Sequence, residues 1–218
     1  YTTTGALDTQ FGAAATTLDA TPMYVENGAA VVLDPDAAIF DTELSAADNF
    51  AGATLTLART GTANADDVFS ATGTLSALTE GDPLVVDGTT IGTITTNSGG
   101  TLLLTFDAGA TGTLVNSAMR QIAYANGSDA PPASVQIDWT FDDGNSGSQG
   151  TGGTLTATGS TTVTITAVND APSTTPVTLT AIAEDSGARV ITQAELLGNA
   201  ADVDGPALTA TGLVIATG

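Results

Sequence analysis

Acidic side chains gather in ordered clusters along this 218-residue chain. The first cluster comprises Asp19, Glu26, Asp34, Asp36, Asp41 and Glu43. The second group comprises Asp142, Asp143 and Asn145, then Asn169 and Asp170, then Glu184 and Asp185, and finally Asp202 and Asp204. Asp-x-Asp spacing in a loop lets two carboxylates contact one ion, so these clusters are candidate metal sites.

The donor atoms in these clusters favour a hard cation. Ca²⁺ takes about six to eight oxygen ligands from carboxylates, amide side chains and backbone carbonyls. Nitrogen and sulfur donors are missing here, which disfavours Zn²⁺ and Cu²⁺. A single acidic pair such as Asp66-Asp67 is explained by the preference of Asp for turns. Recurrence of the acids in the same order predicts Ca²⁺ binding coupled to folding.

Residue types that the chain lacks exclude several classes of function. There is no Cys and no His, and the only basic residues are Arg59, Arg120 and Arg189, against 24 Asp and Glu. This excludes disulfides, thiolate metal sites and His-dependent catalysis. With a net charge of −21, the chain offers no basic surface for nucleic acid. Asp142 and Asp143 would point to opposite faces of a strand, so we expect no enzyme.

The elements that would position the acids are mainly β-strands. Polar and apolar residues alternate over residues 54–57, 135–141 and 161–167, and in part over 101–106, which predicts half-buried strands with Trp139 in the core. Asn-Gly, Asp-Gly and Gly-Gly pairs mark the turns. An apolar face over residues 113–123 predicts one short helix. The capping box Thr192-x-x-Glu195, with a stop at Gly198, predicts another.

Hydrophobic runs are too short for membrane insertion, since a bilayer-spanning helix needs about 20 apolar residues. The absence of Cys fits a secreted bacterial protein that folds without disulfides, although a cytosolic chain can also lack Cys, and we expect an extracellular or cell-surface location. Together the patterns predict an all-β Greek-key sandwich, cadherin- or Ig-like, with short helical crossovers.

An internal repeat suggests how the chain is divided. Asp19-Ala20-Thr21-Pro22 returns as Asp170-Ala171-Pro172, and Glu26-Asn27-Gly28 returns as Glu184-Asp185-Ser186-Gly187. Asp41-Thr42-Glu43 returns as Asp202-Val203-Asp204. We therefore expect residues 1–20 to be a leader or the tail of a preceding repeat. Residues 21–170 would be a complete repeat, and residues 171–218 the start of a second one.

Three stretches resemble the junction between tandem cadherin-like repeats of very large bacterial surface and secreted proteins, including VCBS and related adhesin repeats. They are Ala167-Val168-Asn169-Asp170-Ala171-Pro172, Ala183-Glu184-Asp185-Ser186-Gly187 and Ala201-Asp202-Val203-Asp204-Gly205. The stretch from Tyr24 to Asn145 is similar to the long form of such a repeat, so the resemblance extends from about residue 19 onwards.

The resemblance implies a Ca²⁺ site at each junction between repeats. At the second junction, the implied ligands are Asn169, Asp170, Glu184, Asp202 and Asp204, with Asp142 or Asp143 from the preceding repeat. At the first junction, they are Asp19, Glu26, Asp41 and Glu43, where Leu18-Asp19 replaces Asn-Asp and Glu43 replaces the second Asp.

These observations predict an extracellular Ca²⁺-binding repeat that extends and stiffens a large bacterial adhesin or matrix protein in cell adhesion and biofilms. Its partners would be neighbouring repeats of the same polypeptide. One alternative is a self-assembling filament or surface-layer subunit that binds other copies of itself by strand addition. A third reading is a non-catalytic module of a secreted polysaccharide-degrading enzyme.

Overall fold

The computed structural model describes residues 18–145, 153–205 and 207–214. The chain divides into two compact units, Tyr1–Ala167 and Val168–Gly218. Most of the predicted leader over residues 1–20 lies outside the described residues.

Strands dominate the described part of unit 1. They are β1 (Met23–Val25), β2 (Val31–Val32), β3 (Thr54–Arg59), β4 (Asp67–Ala71), β5 (Pro83–Val86), β6 (Thr89–Ser98), β7 (Thr101–Phe106), β8 (Ile122–Asn126), β9 (Ser134–Asp142) and β10 (Thr156–Thr166). One sheet has the order β1-β10-β9-β3-β7-β6-β5 and the other the order β2-β8-β4. The pairs are antiparallel except for β1, which runs parallel to β10. The predicted all-β sandwich is confirmed.

The core follows from the alternation of residue types along the strands. Leu55 and Leu57 on β3 point inward, while the Thr residues between them are half-buried. On β9, the inward side chains include Ile137 and Trp139, both fully buried. The Trp139 Nε1–H donates to Thr161 Oγ1 at 3.1 Å, which satisfies the indole and confirms that Trp139 is a core residue.

A buried polar network joins strands of both sheets. Arg59 at the end of β3 donates through Nε and Nη2 to the two carboxylate oxygens of Asp67 on β4, at 2.8 and 2.7 Å. Tyr124 on β8 donates its hydroxyl to Asp67 Oδ1 at 2.7 Å. Asn126 Nδ2 donates to the same oxygen at 3.2 Å. The hydrogen bond to Asp67 raises the pKa of Arg59, and the two hydrogen bonds hold the guanidinium in a fixed geometry.

Three short helices interrupt the strands within the described residues: α1 (Thr42–Ala47), α2 (Gly112–Met119) and α3 (Gln193–Leu196). The helix predicted over residues 113–123 extends too far toward the C-terminus. Ile122 and Ala123 belong to β8, where both pair with β4 and Ala123 also pairs with β2. The predicted capping box at Thr192 and Glu195 is present in α3. The sequence analysis did not predict α1.

Turn glycines at two hairpins fix the strand register. Asp87 and Gly88, with φ angles of 51° and 76°, form the turn between β5 and β6. Gly99 and Gly100, with φ angles of 59° and 77°, join β6 to β7. A Cβ atom at Gly100 would lie 1.8 Å from the Asn64 carbonyl oxygen, so this hairpin packs directly against the loop before β4.

The described part of unit 2 contains α3 and a two-stranded antiparallel sheet of β11 (Ser173–Thr174) and β12 (Ala200–Ala201). Several of its large apolar side chains are exposed, namely Ile182, Val190, Ile191, Val203, Leu213 and Val214. Across the described residues, no helix has the length and apolar character needed to cross a membrane.

Candidate cation-binding sites

Three carboxylates converge beside β2 in unit 1. One oxygen each from Asp19, Asp34 and Asp36 lies within 4.8 Å of the others. Asp34 is fully buried, whereas Asp19 and Asp36 are exposed, so the cluster opens from the interior toward solvent. Three like charges at this separation repel one another unless a proton or a cation compensates them.

Local structure explains why Asp34 is held inside. Leu33, itself fully buried, extends the pairing of β2 by donating its N–H to the Ile122 carbonyl at 3.0 Å, and Asp34 follows it directly. Asp34 Oδ2 accepts from the Ala20 N–H at 3.1 Å, and Oδ1 accepts from the Asp36 N–H at 3.2 Å. Burial raises the pKa of Asp34, and the hydrogen bond with Asp36 raises it further. Asp34 is thus a buried carboxyl group held in place by two backbone N–H groups.

A second acidic site surrounds a cavity of about 20 Å³ in unit 1. Asp41, Glu43, Asp143 and Asn145 contribute its polar lining, and the remaining lining is mostly apolar, including Phe141. Asp143 and Asn145 are buried, with 6% and 9% of their surface exposed. A cavity of this size holds one water molecule or one ion.

Two acids that line this cavity, Asp41 and Asp143, also accept hydrogen bonds from nearby backbone N–H groups. Asp41 is the N-cap of α1, and its Oδ1 accepts from the N–H groups of Glu43 and Leu44 at 3.0 and 2.7 Å. Asp143 Oδ1 accepts from the N–H groups of Asn145 and Leu155 at 2.9 and 3.0 Å. Each carboxylate thus has a folding role without metal, and a cation would share oxygens that are already held in place.

The sequence analysis assigned Asp41 and Glu43 to one junction and Asp142 or Asp143 to the other. The structure instead brings Asp41, Glu43 and Asp143 to the same cavity. Asp142 lies outside that lining, and its Oδ1 accepts from the Gly144 N–H at 2.8 Å. Neighbouring residues on a strand point to opposite faces, which separates the two adjacent acids.

Glu26 follows β1, and 3% of its surface is exposed. One carboxylate oxygen of Glu26 lies within 4.8 Å of one carboxylate oxygen of Asp129. Sequence reasoning included Glu26 and did not include Asp129, which stands alone in the Ser128-Asp129-Ala130 loop and belongs to no recurring pattern.

In unit 2, pairing of β11 with β12 brings the linker acids next to the Asp-x-Asp turn. The Asp170 N–H donates to Asp204 Oδ2 at 2.6 Å, and the Asp204 N–H donates to Asp202 Oδ1 at 3.1 Å. Asn169 Nδ2 donates to the Asp170 carbonyl at 2.8 Å. Glu184 is exposed. The ligand set of the second junction draws on both units and stays a prediction.

The predicted ligands omitted Asp34 and Asp36, although the sequence analysis placed both in the first cluster. The available signal was Asp34-Pro35-Asp36, an Asp-x-Asp step seven residues before Asp41. Because Asp41-Thr42-Glu43 matches Asp202-Val203-Asp204, Asp41 and Glu43 were predicted as ligands in place of Asp34 and Asp36. Only the fold shows that Asp34 is buried and close to Asp19.

Part of the chain matches a known protein family. Residues 168–218 match the family model described as a cadherin-like domain. This match supports a cadherin-like fold for that segment, in agreement with the junction resemblance noted in the sequence. No curated protein and no solved structure matches the chain.

Proposed function

We propose that this chain is a Ca²⁺-binding structural repeat of an extracellular protein, in which it extends and stiffens a large bacterial adhesin or matrix polypeptide without catalysing a reaction. The observation that carries this proposal is the convergence of Asp19, Asp34 and Asp36, with Asp34 fully buried. The cadherin-like match over residues 168–218 supports the extracellular, adhesion-type role.

The residues of the first site fit Ca²⁺. They present carboxylate oxygens alone, the ligands this ion prefers, and their flexible side chains suit its variable coordination geometry. Asp19, Asp34 and Asp36 would hold one ion, which would offset the repulsion among their three carboxylates. Asp41, Glu43, Asp143 and Asn145 would hold a second, since they combine three carboxylates and an amide around one cavity.

Such ions would act as cross-links between segments that are distant in sequence. Asp19 precedes β1, whereas Asp34 and Asp36 follow β2, so a shared ion ties the entry of the chain to the body of unit 1. In the second site, the ion would join the N-terminus of α1 to the end of β9. Asp170, Asp202 and Asp204 would serve the same purpose at the start of unit 2. Rigidity would then depend on environmental Ca²⁺.

Calorimetric melting tests this function. Extracellular modules bind Ca²⁺ with Kd values of about 10⁻⁴–10⁻³ M. At about 10 mM Ca²⁺, each occupied site adds roughly 1.4 to 2.7 kcal/mol to the free energy of unfolding. We expect a higher Tm for unit 1 in Ca²⁺ than in chelator at matched ionic strength. An equal Tm in both solutions counts against the proposal.

The exposed apolar side chains of unit 2 favour one second candidate, self-assembly into an extracellular filament or surface layer. Val190 and Val214 are 82% and 93% exposed, and such surfaces associate when complementary ones meet. Size-exclusion chromatography with light scattering at two Ca²⁺ concentrations distinguishes the candidates. Concentration-dependent oligomers support assembly, and a strict monomer removes it.

A further inference from the structure

The N-terminal and C-terminal strands of unit 1 lie side by side and run in the same direction. Met23, Tyr24 and Val25 of β1 oppose Thr164, Ile165 and Thr166 of β10. The chain enters β1 at its Met23 end and leaves β10 at its Thr166 end. Tension between the two ends therefore pulls the strands in opposite directions along their common axis.

In this geometry, the hydrogen bonds between the strands are loaded together. The Thr164 N–H donates to the Pro22 carbonyl at 2.9 Å, and the Glu26 N–H donates to the Thr166 carbonyl at 3.0 Å. These bonds bracket the three paired residues of each strand. Because sliding breaks them at once rather than one after another, their individually small contributions act as a sum.

Side chains anchor the same segment to the body of the unit. Tyr24 is 2% exposed, its ring contacts Tyr124 edge-to-face with centroids 6.2 Å apart, and its hydroxyl donates to the Asn126 carbonyl at 3.1 Å. Sliding of β1 would pull this ring out of the core and break its hydrogen bond. Burial of a Tyr side chain adds resistance that an exposed strand would not have.

Two further contacts secure the chain before β1. Leu18 lies against Gly159 of β10, where a Cβ atom would be 2.5 Å from Leu18 Cδ1. Leu18 precedes Met23 by the same number of residues as Gly159 precedes Thr164, so this contact continues the parallel register. The Ala20 N–H donates to the buried Asp34 carboxylate at 3.1 Å. Residues 18–26 are thus attached along their whole length.

We infer that residues 18–26 and β10 form a mechanical clamp, which makes unit 1 resist end-to-end tension through shear between parallel terminal strands. The inference rests on the load-bearing function proposed above, because only a repeat held under tension would use it. It does not require metal, since the contacts that carry it are hydrogen bonds and buried side chains of the chain itself.

Single-molecule force spectroscopy on the full chain tests the clamp. The chain contains no Cys, so two introduced cysteines define the attachment points uniquely. Handles at Thr21→Cys and Ala167→Cys load the strands in shear. Handles at Ala29→Cys and Ala167→Cys load the pair from one end, so that its hydrogen bonds break in sequence. All three positions are exposed, and both pairs release nearly the same length, roughly 50 nm.

We expect a several-fold higher unfolding force in the shear geometry, in one step that releases the full length. Tyr24→Phe should lower the shear force, whereas Met23→Ala on the same strand, at a side chain 69% exposed, should not. Equal forces in the two geometries, or an early low-force release of residues 18–26 alone, would overturn the clamp.

Repetition in chelator separates this inference from the Ca²⁺ proposal. A force difference that persists in chelator supports the clamp even if Ca²⁺ has no effect on stability. A difference that arises only with Ca²⁺ overturns the hydrogen-bonded clamp and leaves the metal-dependent function standing.

Discussion

Replacement of Asp36 by Asn should change the stability of unit 1 in opposite directions with and without Ca²⁺. The carboxylate oxygens of Asp36 and its two neighbours lie within 4.8 Å of one another. Two unit charges at this distance repel by about 0.9 kcal/mol in water and about 3.5 kcal/mol at an effective dielectric of 20. Because Asp36 is exposed, the lower value applies more closely. In chelator, we expect Asp36→Asn to be more stable by about 1 kcal/mol.

In Ca²⁺ the same substitution removes a charged ligand. Loss of a site that contributes about 1.4 to 2.7 kcal/mol at about 10 mM Ca²⁺ outweighs the relieved repulsion. The variant should then be less stable than the unmodified chain by about 0.4 to 1.7 kcal/mol. For a unit of this size, 1 kcal/mol corresponds to about 2–4 °C in Tm, which differential scanning calorimetry resolves.

The matched control is Asp82→Asn, which removes one negative charge from an exposed position outside the clusters. It should shift Tm by the same amount in both solutions. If Asp36→Asn behaves like this control, with no reversal of sign, then Asp19, Asp34 and Asp36 do not bind Ca²⁺ and the reasoning from their convergence is wrong.

Three other predictions follow from the buried polar network of unit 1. Asp67→Ala should lower the free energy of unfolding by about 3–5 kcal/mol, because it leaves Arg59 without its buried partner. Denaturant titration measures this loss. A loss below about 1 kcal/mol, the size expected of an exposed ion pair, would contradict the prediction. Burial and the hydrogen bond to Asp67 raise the pKa of Tyr124. Since the pKa of Tyr124 in the folded chain exceeds the unfolded value of about 10, stability should fall as pH rises above about 10. Tyr124→Phe should weaken this loss of stability when Tm is measured against pH. An identical pH profile for both chains would show that Tyr124 does not cause the loss. Asn126 should remain unglycosylated when the chain is expressed in a secretory host, despite its Asn-Gly-Ser sequence. Asn126 is 4% exposed, and its amide donates hydrogen bonds inside the core. Mass spectrometry checks this, and a glycan on Asn126 in folded protein would show that the buried polar network opens.

Elements set by local pattern could be predicted from the sequence. The strands around Leu55, Trp139 and Val163 show apolar residues at every second position, and all three lie in the core. The capping box at Thr192 was also predicted, because its signal is contained within four residues. Helix α1 was missed because Asp41 was read as a metal ligand, and the same side chain is an N-cap.

The grouping of the acids depended on tertiary structure. Leu33 prolongs β2 beside β8, and no local pattern in Leu33-Asp34-Pro35 predicts that contact or the burial of Asp34. Asp143 meets Asp41 because the end of β9 lies near the start of α1, which are about a hundred residues apart in sequence. The sequence indicated which side chains are candidate cation ligands, but the assignment of acids to shared sites requires the fold.

Direct titration of the chelator-treated chain with CaCl₂ in an isothermal calorimeter, at physiological ionic strength, tests the central claim most directly. The account predicts saturable binding with Kd values of about 10⁻⁴–10⁻³ M, and a reduced stoichiometry for Asp36→Asn but not for Asp82→Asn. Heats indistinguishable from dilution up to about 10 mM Ca²⁺ would contradict it, since ions that do not bind in that range add almost nothing to stability.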